Sequence, residues 1–185
     1  MIRIEGPILL GIGSNLPGPF GCPRGACGAA LEALRKSGLQ IIERSPWYES
    51  APVPISNQPY FVNGVVSIKT NLGPKDLLNQ VLEIEAKMGR KRTKPNAARV
   101  IDLDVLAQGN LICRGYGGAP VLPHPRLHER AFVIFPLADI FPDWEHPIIQ
   151  SSAQDIKTTL LGRQKIHQMT DAYGLFGTEW RTERN

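Results

Sequence analysis

Residues 87–106 read Lys-Met-Gly-Arg-Lys-Arg-Thr-Lys-Pro-Asn-Ala-Ala-Arg-Val-Ile-Asp-Leu-Asp-Val-Leu. The first part carries six basic residues, Lys87, Arg90, Lys91, Arg92, Lys94 and Arg99, and no acid. The second part sets Asp102 and Asp104 among Val100, Ile101, Leu103, Val105 and Leu106. Residues two apart in a strand share a face, so the two carboxylates would stand side by side, about 7 Å apart at Cα. Aspartate is depleted in strands. A pair of them in an otherwise aliphatic strand suits a hard divalent cation, which takes oxygen ligands. A basic loop leading into that strand suits a metal–polyphosphate site, with cations on one side of the phosphates and guanidinium groups on the other. The plainer reading is an edge strand with two solvated acids beside a solvated basic loop. Charge segregation favours the site. The chain has a net charge of +4, and residues 87–99 contribute +6 of it, so the remainder is about −2. The positive charge is local, which speaks against a general affinity for nucleic acid or membrane.

The rest of the chain must position these groups. With 185 residues, 42% hydrophobic and 21% charged, it has the make-up of one globular domain with a real core. No apolar run has membrane-spanning length, and the run at 7–12 is too short for a signal peptide. Three cysteines, Cys22, Cys27 and Cys113, are an odd number with no zinc-like spacing to a histidine, so reduced thiols in a cytoplasmic protein are expected.

Residues 8–12 form a short aliphatic strand ending in the turn-forming trio Gly13-Ser14-Asn15. The Gly- and Pro-rich residues 17–28 read as a loop, 29–36 as a helix and 39–48 as a strand. Residues 49–59 contain three prolines and read as an irregular loop that covers something. Residues 60–70 alternate as a strand, with Phe61 and Asn63 on one face. Residues 74–88 are the clearest helix, with Pro74 at its start and Glu85 on the same stripe as Leu78 and Val81. A carboxylate on a buried stripe needs a partner. Gln108-Gly109-Asn110 reads as a hairpin turn returning through Cys113. His124 sits rigidly between Pro123 and Pro125, ahead of a helix at 131–140, and a last helix falls within 145–161. Residues 1–161 are taken as the domain and 162–185 as a polar tail without a functional signature.

Taken together, Gly13-Ser14-Asn15, Tyr48 with Ser50-x-Pro52-Val53, Gln58-Pro59-x-Phe61-x-Asn63, Glu85-x-x-x-Gly89-Arg90-x-Arg92, Arg99-x-x-Asp102-Leu103-Asp104, Pro123-His124-Pro125-Arg126 and Arg130-x-Phe132 resemble the 6-hydroxymethyl-7,8-dihydropterin pyrophosphokinase family over residues 8–150. The specificity lies in their order and spacing. The resemblance implies an α+β, ferredoxin-like three-layer fold, an antiparallel sheet with helices packed on it. It implies ATP as co-substrate, two Mg²⁺ ions, and pyrophosphate transfer to the pterin with release of AMP.

By the same resemblance Asp102 and Asp104 hold the metals, and Arg90, Arg92 and Arg99 bind the triphosphate and stabilise the transferring group. Glu85, Val105, His124 and Arg130 complete the ATP site. Asn15, Ser50, Ala51, Val53, Phe61, Asn63, Asp102 and Phe132 bind the pterin, with the two rings stacking on it. The expected partners are these two small molecules, with no nucleic acid and no membrane, and the protein is expected to be a cytoplasmic monomer. The sequence departs from the family where Pro95-Asn96 replaces a common Arg-Trp, and where Phe61 replaces a frequent tyrosine. Two rival classes use the same residues differently. A ferredoxin-like RNA binder has no use for paired aspartates on its sheet face. A metal-dependent phosphohydrolase needs more metal ligands than the sequence clearly places.

Overall fold

The computed structural model describes residues 5–90 and 97–170. In chain order the elements are β1 (Ile8–Ser14), α1 (Pro23–Lys36), β2 (Gln40–Arg44), β3 (Tyr48–Ser50), β4 (Phe61–Lys69), α2 (Pro74–Lys87), β5 (Asp102–Gln108), β6 (Cys113–Arg114), β7 (Val121–Leu122), α3 (Ala131–Ile140), α4 (Ala153–Leu160) and β8 (Ile166–Gln168). The main sheet has the order β5-β1-β4-β3-β8, and β2 pairs with the part of β4 that β3 leaves open. Every pairing in it is antiparallel. The fold is therefore a mixed α+β one.

Helices cover both faces of the sheet. On one face Leu10, Ile12, Val62, Val66, Leu103 and Val105 pack against α1 and α2. On the other, Leu9, Val65, Leu106 and Ala107 pack against α3 and α4. Alternation along β1, β4 and β5 thus feeds two cores, and this explains why these strands carry apolar residues on both sides.

The strand at 60–70 and the helices at 74–88 and 131–140 form as the sequence predicts, within a residue at each end. Four expectations need correction. Gly13 and Ser14 do not turn; they continue β1 and pair with Asn63 and Val62. Helix α1 begins at Pro23, not at 29. Proline suits a first helical position, and Gly25 is required there because a Cβ would lie 2.6 Å from the Phe20 carbonyl oxygen. The strand expected over 39–48 breaks at Pro46 into β2 and β3. At the break Ser45 takes over the pairing: its Oγ accepts the Val65 N–H at 3.0 Å and its own N–H donates to the Val65 carbonyl at 2.9 Å. The turn at Gln108 forms, but β6 then pairs with β7 and not back onto β5. Beyond the expected domain boundary, β8 adds a strand alongside β3.

Trp47, 2% exposed, fills the break between β2 and β3 with its indole against Gly64 of β4. A Cβ on Gly64 would meet the indole at 2.5 Å. Gly64→Ala should therefore destabilise the protein by about 1–3 kcal/mol, the range for overpacking a core. Urea unfolding followed by Trp fluorescence measures it, and an unchanged midpoint would show that the indole has room to move.

Candidate active site

The site lies on the α3 face of the sheet, beyond the end of that helix. Residues directly opposite one another across an antiparallel pair share a face. The register sets Asp102, Gly13 and Asn63 in one row across β5, β1 and β4, and Asp104, Gly11 and Val65 in the next. Gly13 leaves a bare floor between Asp102 and Asn63, while over Gly11 the space is taken by the Leu106 side chain. A Cβ on Gly13 would meet the Asn63 Oδ1 at 3.1 Å. Around this floor is a cleft of about 350 Å³. One wall is residues 50–54 with Phe61, another is the end of α2 with Leu78, Leu82 and Glu85, and a third is His124, Arg130 and Phe132.

Charge is arranged in pairs. Glu85 is 1% exposed, and one of its carboxylate oxygens accepts the Leu103 N–H at 2.7 Å and the Arg90 guanidinium. Arg90 also donates to one oxygen of Asp102, while Arg99 donates to the other at 2.7 Å. Arg130 stands 3.7 Å from Asp104. The guanidiniums of Arg99 and Arg130 lie over the rings of Phe61 and Phe132, at 5.9 and 5.5 Å from the centroids. Burial raises the Glu85 carboxyl, against the pull of Leu103 and Arg90. Asp104 is pushed up to about 6, first by burial in the cleft walls and then by Asp102.

Asp102 and Asp104 form a small, all-oxygen donor set. Among the described residues no group of three or more His, Cys, Asp or Glu side chains could hold a metal. That fits Mg²⁺, which keeps several waters and is bound through one or two carboxylates plus substrate phosphates. It does not fit a closed structural zinc site.

The turn before α3 presents His124. Its Nδ1 accepts the Arg126 N–H at 3.2 Å, so a neutral ring carries its proton on Nε2. Burial, then Arg130 and Arg126, hold its pKa down to about 4.

The cleft thus brings together Ser50, Ala51, Val53, Phe61, Asn63, Glu85, Arg90, Arg99, Asp102, Asp104, His124, Arg130 and Phe132 of the expected residues. Arg92 and the Pro95-Asn96 departure lie outside the described residues. Two of the expected residues do not line the cleft with their side chains. Val105 points away from the cleft, into the core under α1 and α2, because it is one step out of phase with Asp104. Asn15 is 1% exposed and ties the rims together: its Oδ1 accepts the Arg99 N–H at 2.8 Å, and its Nδ2 donates to Gln58 and to the Pro59 carbonyl. Gly13, Gln58, Leu78 and Leu82 line the cleft without having been expected. The glycine reads as a turn and the leucines read as core.

A family model described as 7,8-dihydro-6-hydroxymethylpterin-pyrophosphokinase matches residues 9–142. The chain belongs to this family. It is 39% identical over 143 residues to the 2-amino-4-hydroxy-6-hydroxymethyldihydropteridine pyrophosphokinase of Pseudomonas aeruginosa, covering 76% of this chain and 83% of that one. The enzyme of the same name from Methylorubrum extorquens is 40% identical over 141 residues, covering 72% and 82%. Against the folic acid synthesis protein fol1 of Pneumocystis carinii the identity is 37% over 119 residues, which is 64% of this chain and 16% of that longer protein. The fold also resembles wild-type HPPK-DHPS of Plasmodium falciparum, with a TM-score of 0.65 and 15% identity over 84% of this chain and 45% of that one.

The lowered His124 pKa has a consequence for stability. An unfolded chain takes up that proton near 6.5 and the folded one only near 4, so the folded form is disfavoured progressively as pH falls through this window. Above it neither form holds the proton and the effect vanishes. His124→Gln should flatten the acid-side fall in Tm between pH 6.5 and 4. Parallel Tm profiles for wild type and variant would refute the assignment.

Proposed function

We propose that this chain transfers pyrophosphate from ATP to 6-hydroxymethyl-7,8-dihydropterin, forming the pterin diphosphate and AMP in folate synthesis. The observation that carries the reading is the paired Asp102 and Asp104 on a bare sheet floor, ringed by Arg90, Arg99 and Arg130 and flanked by Phe61 and Phe132. In the reaction the hydroxymethyl oxygen bonds to the β-phosphorus, the bond from that phosphorus to the α-phosphate oxygen breaks, AMP leaves and the hydroxyl proton is lost. Negative charge builds on the phosphate oxygens as this happens, and fixed guanidinium donors stabilise it.

Arg90, Arg99 and, from outside the described residues, Arg92 bind the triphosphate. Arg130 and the neutral His124 add donors from the opposite wall, and Glu85 holds Arg90 and borders the ribose. Asp102 and Asp104 would hold two Mg²⁺ ions, which when bound screen the phosphate charge. The pterin lies between Phe61 and Phe132, with Ser50, Ala51, Val53, Asn63 and Asp102 at its polar edge. The strand order, with α1 and α2 as the crossovers on one face, supports reading the core as ferredoxin-like. The enzyme is read as a cytoplasmic monomer, whose catalytic domain runs past the expected boundary at 161 to take in β8 beside the cleft wall. It acts on two small molecules and on neither nucleic acid nor membrane. Among the described residues no helix is long and apolar enough to cross a bilayer.

Incubation with ATP, Mg²⁺ and the pterin tests the reading. AMP should appear in step with pterin diphosphate; ADP or free phosphate as the product would overturn it. Asp102→Ala combined with Asp104→Ala should abolish transfer, by at least about a thousandfold for loss of the charge-stabilising centre, while circular dichroism shows the fold intact. Near-normal turnover by the double variant would remove these residues from metal binding.

A further inference from the structure

Helix α3 starts at the cleft, and its N-cap residue is Arg130, whose side chain makes no capping hydrogen bond. An N-cap is usually Ser, Thr, Asp or Asn, because a short polar side chain satisfies a free N–H of the first turn. Here the N-cap side chain is engaged elsewhere, with Asp104 and over Phe132. The cap comes from the far end of the chain. The Oε1 of Gln164 accepts the Ala131 N–H at 3.1 Å, and its Nε2 donates to the Glu129 carbonyl at 2.7 Å. These are the two peptide groups that flank Arg130, which is extended at φ −108° and ψ 107°. The primary amide therefore pairs with Arg130 as a neighbouring strand would.

Gln164 is itself held in register with the opposite wall. The carbonyl of the next residue, Lys165, accepts the Ala51 N–H at 3.0 Å, and β8 follows at once, pairing Ile166 with Ser50 and Gln168 with Tyr48. Beyond it Met169 N–H donates to the Trp47 carbonyl at 2.9 Å. One short segment thus fastens the Arg130–Phe132 wall to the Ser50–Ala51 wall.

We propose that Gln164 is a positioning residue for the transfer reaction: it caps α3 in place of the N-cap side chain, and so frees Arg130 for the phosphates and aims Phe132 at the pterin. The role of those two residues rests on the function proposed above; the cap itself does not. Residue 164 lies beyond the stretch that the family model matches.

Gln164→Met keeps the bulk of the side chain and removes both hydrogen bonds. It should speed hydrogen–deuterium exchange of residues 129–132 in the ligand-free protein. It should also lower kcat/KM for the pterin by about tenfold, the upper end of what one net hydrogen bond contributes. Ser152→Ala is the control. Ser152 caps α4, its Oγ accepting the Asp155 N–H at 3.0 Å, away from the cleft. It should give a comparable fall in Tm with kcat/KM within twofold of wild type. Gln164→Glu can accept from Ala131 but sets a second acceptor against the Glu129 carbonyl, so it should recover only part of the stability and of the activity. The proposal fails if Gln164→Met leaves exchange at 129–132 unchanged. It also fails if the variant loses stability as Ser152→Ala does while keeping wild-type kcat/KM. A wild-type protein that forms no AMP but shows the expected exchange would overturn the proposed function and leave the cap standing.

Discussion

The polar contacts on the α2 side of the cleft start from one buried carboxylate. Glu85 sits on the inner face of α2 at 1% exposure, where an unpaired charge could not be kept. Its partners satisfy it and fix two things at once. The Leu103 N–H ties the end of α2 to β5 beside the aspartate pair, and Arg90 is turned toward Asp102. From Asp102 the line continues through Arg99, whose N–H donates to Asn15, and through Asn15 to Gln58 and Pro59 at the rim of residues 50–59. A single path of polar contacts runs from a helix end, across the sheet, to the loop on the other side.

The two faces of the sheet divide the work. The face under α1 and α2 is mostly apolar packing, closed at its two ends by buried Ser14 and Gln108, which donate to the Val100 and Leu72 carbonyls. The other face is shared: α3 and α4 cover Leu9, Val65 and Leu106, and the cleft occupies the rest. The short strand β3 borders the cleft and is braced from below by polar groups. The Tyr48 hydroxyl donates to Asp139 of α3 at 2.6 Å, and Lys157 of α4 donates to the same carboxylate at 2.9 Å. This brace keeps the β3 end of the wall in step with the helix that carries Phe132.

The sequence made some of this legible. Asp102, Asp104 and Glu85 stand out because each breaks an apolar pattern, and a charge in such a place needs a chemical reason. The strand at 60–70 and the helices at 74–88 and 131–140 are set by periodicity, and the structure keeps them. What stayed hidden depends on contacts distant in sequence. Gly13 acts as a floor only because β4 and β5 flank it; read alone, glycine next to Ser14 suggests a turn. The Gly- and Pro-rich start of α1 looks irregular until Phe20 is seen closing against Gly25. Leu78 and Leu82 belong to an ordinary apolar stripe, and nothing local shows that the cleft opens beside them. Gln164 is one polar residue in a polar segment, 33 positions from the amide that it caps.

The cleft charges also bear on what it can admit. Glu85, Asp102 and Asp104 are balanced by Arg90, Arg99 and Arg130, so these six groups cancel before anything enters. A bare triphosphate would arrive among acids, and a bare divalent cation among guanidiniums, each meeting repulsion from half of the ring. A guest whose own charges cancel meets no such penalty: each anionic oxygen can take an arginine as each cation takes an aspartate, and the pairs simply change partners. Among the described residues the acids and arginines of the cleft are thus matched to a guest that brings anions and cations together.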